Sequence, residues 1–311
     1  MSKPFLSFDE QIDNLEKNKN LVISDREYAK TMLQQIGYFG LIGGYKEPFK
    51  NPTTQKFIDD TKFEDIVALY KFDENLRELF LKHILQIERH IRSLISYYFC
   101  EKYGEQQTHY LNPLNYNMTQ QNARNVAKLV GILDGLANKN NDYPYINHQR
   151  QCHGNVPLWV LVNAMSFGSL SKFYSFLTPD LRVKVAKHFD KVNDKQLEQF
   201  LNVITLFRNV CAHNERLFSR YSNNDIPNTV LHKKLSIPQI GTQYCYGKRD
   251  LFAVVIAFRY LLPNEDFKKF KRSLIRIIEH YVESSQAISE GLLYQQMGFP
   301  YNWQKVSQYK K

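Results

Sequence analysis

The stretch from Thr53 to Tyr103 contains neither glycine nor proline, the two residues that most often interrupt a helix. Within it, apolar residues recur at steps of three and four positions, which is the spacing of one face of an α-helix. These residues are Ile66, Leu69, Tyr70, Phe80, Ile84, Ile87, Ile91, Leu94, Ile95 and Tyr98. The pattern predicts a long amphipathic helix in this part of the chain.

Other segments also have helical character. We predict a helix after Thr119, and another that begins at Thr178, a cap residue followed by proline at the first helical position. Two more should cover about Leu251–Leu262 and about Asn264–Ser285. Convincing strands are absent, and residues 235–246 could form a short hairpin at most. The sequence therefore predicts an all-α fold.

The best candidate for a domain boundary is the polar, asparagine-rich segment 138–155. Such a segment is either a linker or a surface loop within one helical domain. The chain shows no internal repeat and no low-complexity region. We therefore expect a single all-α domain over residues 1–311, with a possible loop or boundary at 138–155.

The composition favours a polyanionic partner. The 311 residues carry a formal net charge of +10, and they include 20 tyrosines and 21 phenylalanines. A basic surface attracts nucleic acids, and aromatic rings stack on bases as well as filling cores. The alternative is a basic protein that binds nothing acidic.

Neither a membrane nor an oxidising compartment is indicated. No stretch approaches the roughly 18 apolar residues that a membrane span requires, and the N-terminus lacks the apolar core of a signal peptide. The cysteines stand alone at positions 100, 152, 211 and 245, without metal-type pairs. We expect a cytoplasmic protein with reduced thiols, with no metal site and no cofactor.

One short segment combines the residues that phosphodiester chemistry needs. Arg208, Asn209 and His213 follow the apolar run 203–207, on a helix that we predict from about Lys195 to Tyr221. A guanidinium neutralises phosphate charge, and an imidazole transfers protons near neutral pH. Arginine and histidine at this spacing also occur in many helices without such a role.

Projecting that predicted helix at ~100° per residue separates two faces. Apolar side chains fill one arc. The opposite face carries Arg208, Asn209, His213, Arg216 and Arg220. This grouping is either a concentrated anion site or the solvated face of an amphipathic helix.

Arg208 and His213 are five residues apart, so they diverge by about 140° on an ideal helix. A single helix cannot easily place both on opposite sides of one phosphate. Either the helix is distorted there, or two copies of the motif face each other in a dimer. We favour a homodimer, in which two arginines and two histidines surround one phosphate.

Four blocks of the chain, in order, resemble the Abi-2 (AbiD/AbiF-like) abortive-infection family, a branch of the HEPN ribonucleases. The first is Ile36-Gly37-Tyr38-Phe39 with Tyr45, Pro48 and Phe49, and the second is Leu85, Glu88, Arg89 and Arg92. The third joins Pro157-Leu158-Trp159 to Ser166–Tyr174. The fourth runs from Arg208 to Arg216 and matches the Arg-x4–6-His motif of HEPN ribonucleases.

The resemblance implies a HEPN-type helical bundle with additional N- and C-terminal helices. It also implies a metal-independent endoribonuclease toxin of phage defence, often dimeric and held in check by a small RNA or a protein antitoxin. In that mechanism the RNA 2′-hydroxyl attacks the adjacent phosphorus. His213 would act as general acid or base, Arg208 would stabilise the transition state, and Asn209 would orient the histidine or hold a phosphate oxygen.

Several residues have two possible interpretations. Glu88 and Arg92, at positions i and i+4, form either an ordinary helix ion pair or a clamp on the catalytic helix. Arg216 and Arg220 are candidate RNA-binding residues. The basic run that includes Arg272 and Arg276 is either a solvated face or a contact for the RNA backbone. The alternative to an enzyme is a non-catalytic RNA-binding module that uses the same basic face.

Overall fold

The computed structural model describes residues 4–139, 141–285 and 287–311. Over these residues the helices are α1 (Phe8–Asp13), α2 (Arg26–Ile36), α3 (Phe63–Tyr103), α4 (Gln107–Tyr110), α5 (Ala123–Asn138), α6 (Pro144–His153), α7 (Leu158–Leu161), α8 (Phe167–Phe176), α9 (Pro179–Ala186), α10 (Asp194–Ala212), α11 (Val230–Lys234), α12 (Leu251–Leu261), α13 (Asn264–Ser284) and α14 (Glu290–Met297). Short π-helical turns cover Asn14–Asn18 and Phe39–Gly43, and 3₁₀ turns cover Glu47–Phe49, Pro113–Asn115, Val162–Ala164 and Trp303–Ser307. The predicted all-α class is confirmed.

The long helix predicted from the periodic stretch is α3, the axis of the bundle. It begins at Phe63, and the Asp65 carboxylate caps it by accepting the Lys62 N–H at 2.9 Å. It ends at Gly104, whose φ of 93° suits glycine and whose N–H donates to the Cys100 carbonyl at 2.8 Å. The residues of the glycine- and proline-free stretch that precede Phe63 form a loop, with left-handed residues at Gln55 and Asp60.

Helices α8, α9, α10 and α13 pack against α3, and α10 also packs against α8 and α12. Every residue of α12 is buried, and all of them except Arg259 are aliphatic or aromatic, as expected for a helix in the core. The helices predicted near Leu251 and Asn264 are therefore confirmed as α12 and α13. This packing places α10, which carries the Arg208 motif, between α3 and α8.

The helix predicted from Thr178 is confirmed as α9, with Thr178 at the N-cap position and Pro179 first in the helix. The helix expected after Thr119 is α5. The irregular segment 235–246 contains one antiparallel pair of strands, β1 (Gln239–Ile240) and β2 (Gln243–Tyr244). This pair is the short hairpin that the sequence allowed.

The polar segment 138–155 differs from the loop that its composition suggested. It contains α6, which starts with Pro144 and ends at Gly154 in the left-handed conformation. Arg150 donates to the carbonyls of Ala137 at 3.3 Å and Lys139 at 2.5 Å, which joins α6 to the end of α5. Asn140 lies outside the described residues.

Candidate active site

A buried glutamate on α3 joins the second and fourth sequence blocks. Glu88 is 2% exposed and pairs with Arg92, four residues further along the same helix. Its other oxygen, Oε2, lies 3.8 Å from Nε of Arg208 on α10, so the two residues form an ion pair without a hydrogen bond. Arg92 also donates from Nη2 to the Met165 carbonyl at 2.8 Å. Glu88 therefore lies between two arginines, and the predicted pair of Glu88 and Arg92 extends to the motif helix.

The two other motif residues are open to solvent. Asn209 and His213 are both exposed, whereas Arg208 is 28% exposed. Within the described residues, the side chain of His213 has no hydrogen-bond partner. The neighbouring Cys211 is different, because burial raises the pKa of its thiol to about 12. Cys211 is therefore a packed core residue and not a nucleophile.

The motif helix is shorter than predicted, because α10 ends at Ala212 and not near Tyr221. His213 is the C-cap residue, and its N–H still donates to the Asn209 carbonyl at 2.9 Å. Asn214 then adopts a left-handed φ of 54°, and the Glu215 N–H donates back to the Val210 carbonyl at 3.0 Å. That six-residue hydrogen bond is the signature of a Schellman helix end, with asparagine in the position that glycine usually takes.

The early helix end corrects the predicted basic face. Arg216 and Arg220 lie beyond the helix and do not share a helical face with Asn209. Arg216 donates from Nη1 to the Gly44 carbonyl at 2.8 Å. This hydrogen bond joins the segment after α10 to the residue that follows the π-helical turn Phe39–Gly43. Arg220 is 44% exposed and lies 3.9 Å from Glu215, a surface pair that contributes little. The grouped face is thus reduced to Arg208, Asn209 and His213.

The segment after His213 is held by Asp73, a residue outside the four sequence blocks. Asp73 on α3 is fully buried, and it accepts the N–H groups of Leu217 at 2.8 Å and Phe218 at 2.7 Å. It also accepts the Tyr45 hydroxyl at 2.7 Å and Arg77 Nη1 at 2.9 Å. Four donors on one buried carboxylate fix the position of the chain directly after the histidine.

A signal for Asp73 was present in the sequence. It lies four residues after Leu69 and seven before Phe80, in register with the buried positions of α3. A charged residue at a core position of a periodic helix is buried only when it is paired, so it indicates a polar network. Tyr45, in the first of the resemblance blocks, is part of that network.

We expect Glu88→Gln to lower the free energy of unfolding by about 2 kcal/mol, since two partly buried guanidiniums would lose their only shared counter-charge among the described residues. Urea denaturation measures this change. The matched control on the same helix is Glu101→Gln, which breaks an exposed pair with Lys184 and should cost less than ~0.5 kcal/mol. Equal costs for the two variants would contradict a structural role for Glu88.

The fold and site together define a class: an all-α chain in which two arginines flank a buried glutamate, and an exposed asparagine and histidine follow the second of these arginines in sequence. Among the described residues, no helix has both the length and the apolar composition needed to cross a bilayer. No group of three or more histidine, cysteine, aspartate or glutamate side chains in that part of the chain is arranged to hold a metal ion.

The chain belongs to the Abi-like protein family, whose model matches residues 31–219. The match covers all four sequence blocks and runs from the second half of α2 to the segment that Asp73 holds. It confirms the family that the blocks indicated. No curated protein and no solved structure matches the chain.

Proposed function

We propose that this protein is an endoribonuclease of the HEPN type that acts in abortive infection, with Arg208 and His213 at its catalytic site. Membership of the Abi-like family supports the role in phage defence. The single observation that carries the catalytic part is the position of His213. Its exposed imidazole ends α10, about one and a half turns from Arg208, whose guanidinium is paired with Glu88.

The proposed reaction needs two proton transfers. The RNA 2′-oxygen forms a bond to the adjacent phosphorus, the bond to the 5′-oxygen breaks, and the products carry a 2′,3′-cyclic phosphate and a 5′-hydroxyl. A base takes the 2′-hydroxyl proton, and an acid protonates the leaving 5′-oxygen. His213 performs one of these transfers, Arg208 stabilises the charge on the phosphoryl oxygens, and Asn209 holds a phosphate oxygen or orients the imidazole.

A homodimer would supply the second histidine. Arg208 and His213 keep roughly their predicted divergence, because His213 retains the last helical hydrogen bond. One copy of the motif therefore reaches a phosphate from one side, and a two-fold related copy would complete the site. In the cell, a small RNA or a protein antitoxin would restrain such an enzyme, and the net charge of +10 suits a nucleic-acid partner.

The test compares an RNA with a DNA of the same sequence, each incubated with the purified protein in the presence of EDTA. We expect cleavage of the RNA alone, because DNA lacks the attacking 2′-hydroxyl. The new 5′ ends should accept phosphate from a polynucleotide kinase without prior dephosphorylation. Cleavage of DNA, or loss of RNA cleavage in EDTA, would contradict the mechanism. RNA binding without cleavage would favour the non-catalytic RNA-binding module.

A further inference from the structure

A cavity of about 460 Å³ lies between α5 and α8. Its α8 side is built from the start of the block Ser166–Tyr174, for which the proposed chemistry gives no role. Ser166 caps α8 by accepting the Ser169 N–H at 3.1 Å, so this wall has a fixed shape. The volume falls within the ~300–1,000 Å³ range that is typical of small-molecule sites.

Two observations place the cavity near the candidate active site. A methyl group placed on Gly168, which lines the cavity, would lie 3.7 Å from Cγ2 of Thr205. Thr205 is one turn before Arg208 on α10. In addition, the residue before Ser166 is Met165, whose carbonyl accepts the 2.8 Å hydrogen bond from Arg92. The α8 wall of the cavity therefore lies against α10 about one turn before Arg208.

The charged groups of the cavity suit phosphate. Lys128 on α5 and Lys172 on α8 both line it, and both are exposed. Neither lysine forms an ion pair with any residue in the described ranges, and no described acidic side chain lines the cavity. Two unpaired ammonium groups on opposite walls attract a backbone that carries a negative charge at every nucleotide.

The remaining walls suit a nucleobase. Leu129, Ile132 and Phe176 form an apolar surface on which a flat ring can pack. Asn125 and Ser169 add an amide and a hydroxyl that can hydrogen-bond to a base edge. Apolar walls with a few polar groups and two cations match one nucleotide with its flanking phosphates.

We propose that this cavity binds one unpaired nucleotide of a single-stranded RNA next to the phosphate at Arg208 and His213. The proposal rests on the function proposed above, since it makes the cavity a substrate subsite. A base in a duplex would have to unstack and unpair before it could enter, so the subsite selects single-stranded RNA.

The first experiment measures binding without cleavage. A fluorescent single-stranded RNA of mixed sequence is titrated with the His213→Ala protein, alone or combined with Lys128→Gln and Lys172→Gln. We expect the lysine changes to raise Kd ~10-fold and to reduce the slope of log K against log salt by about 1.4, since each phosphate contact contributes ~0.7 for a single strand. The comparison variant is Arg272→Gln with Arg276→Gln, two exposed cations on α13 that are the other candidate contact for the RNA backbone. If the RNA occupies the cavity, this variant should change Kd less than ~3-fold.

The second experiment fills the cavity. Ile132 is 48% exposed, so Ile132→Trp should fold normally while its indole occupies the space for the base. Combined with His213→Ala, Ile132→Trp should raise Kd for the single-stranded RNA ~10-fold, because the base loses the apolar surface on which it packs. An unchanged Kd would overturn the subsite.

The two proposals fail in different ways. If wild-type protein cleaves RNA but the lysine variant binds like the arginine variant, the subsite is wrong and the ribonuclease stands. If the arginine variant weakens binding more than the lysine variant, the RNA lies along α13 and the subsite is also wrong. If nothing is cleaved but the lysine changes weaken binding ~10-fold, the cavity binds RNA and the catalytic proposal is wrong.

Discussion

Asp73→Asn should lower the free energy of unfolding by about 3–5 kcal/mol, because the change leaves Arg77 as a buried, unpaired charge. The asparagine keeps the shape of aspartate but has only one acceptor oxygen. Its amide would turn N–H groups toward the backbone N–H of Leu217 or Phe218, both of which now donate to the carboxylate. Urea denaturation of the two proteins gives the difference.

The control for Asp73 is Tyr45→Phe. This change removes one of the four donors, while the ring can still stack on Phe218, whose centroid lies 6.1 Å away. The hydroxyl also accepts Arg77 Nη1 at 2.9 Å, so the change removes two hydrogen bonds and should cost about 2 kcal/mol, still less than Asp73→Asn. Amide hydrogen exchange at Leu217 and Phe218 should accelerate much more in Asp73→Asn than in Tyr45→Phe. Similar costs for both variants would contradict the role of Asp73 as the anchor of this segment.

The periodic parts of the fold could be predicted from the sequence. The spacing of apolar residues gave α3, α12 and α13 nearly to their ends, because helices that bury a continuous face carry that spacing along their whole length. The end of α10 could not be found in this way. Leu217 and Phe218 are buried after the chain has turned, so they continue an apolar pattern that no longer belongs to a helix. Asn214 was the available signal, since asparagine tolerates the left-handed conformation.

The composition of the segment 138–155 suggested a loop, but two individual residues in it indicate a helix. The segment is polar, which is typical of a loop, yet Pro144 is the first residue of α6 and Gly154 is its C-cap.

The ion pair of Glu88 with Arg208 has no such local signal in the sequence. The two residues are far apart in sequence, and the spacing of residues along one helix does not predict which residue of another helix they contact. Only the resemblance placed both residues in one site.

We expect His213→Ala to reduce the rate of RNA cleavage by ~10²–10⁴-fold, the usual contribution of a general acid or base. The loss should appear in the rate of the chemical step, with little change in RNA binding. Because the His213 side chain is exposed and has no partner within the described ranges, unfolding free energy should stay within ~0.5 kcal/mol of wild type. The matched control is His280→Ala, another exposed histidine, on α13, which should keep full activity.

Arg208 should respond differently to conservative and non-conservative replacement. Arg208→Ala removes the charge that would face the transition state, and we expect it to reduce cleavage about as strongly as His213→Ala. Arg208→Lys keeps the charge but loses the planar fork, so it should restore only part of the activity. Glu88 keeps Arg92 as a partner in both variants, so both should fold. If Arg208→Ala and the control His280→Ala were both fully active, Arg208 would take no part in the reaction. Its role would then be only that of an ion-pair partner for Glu88.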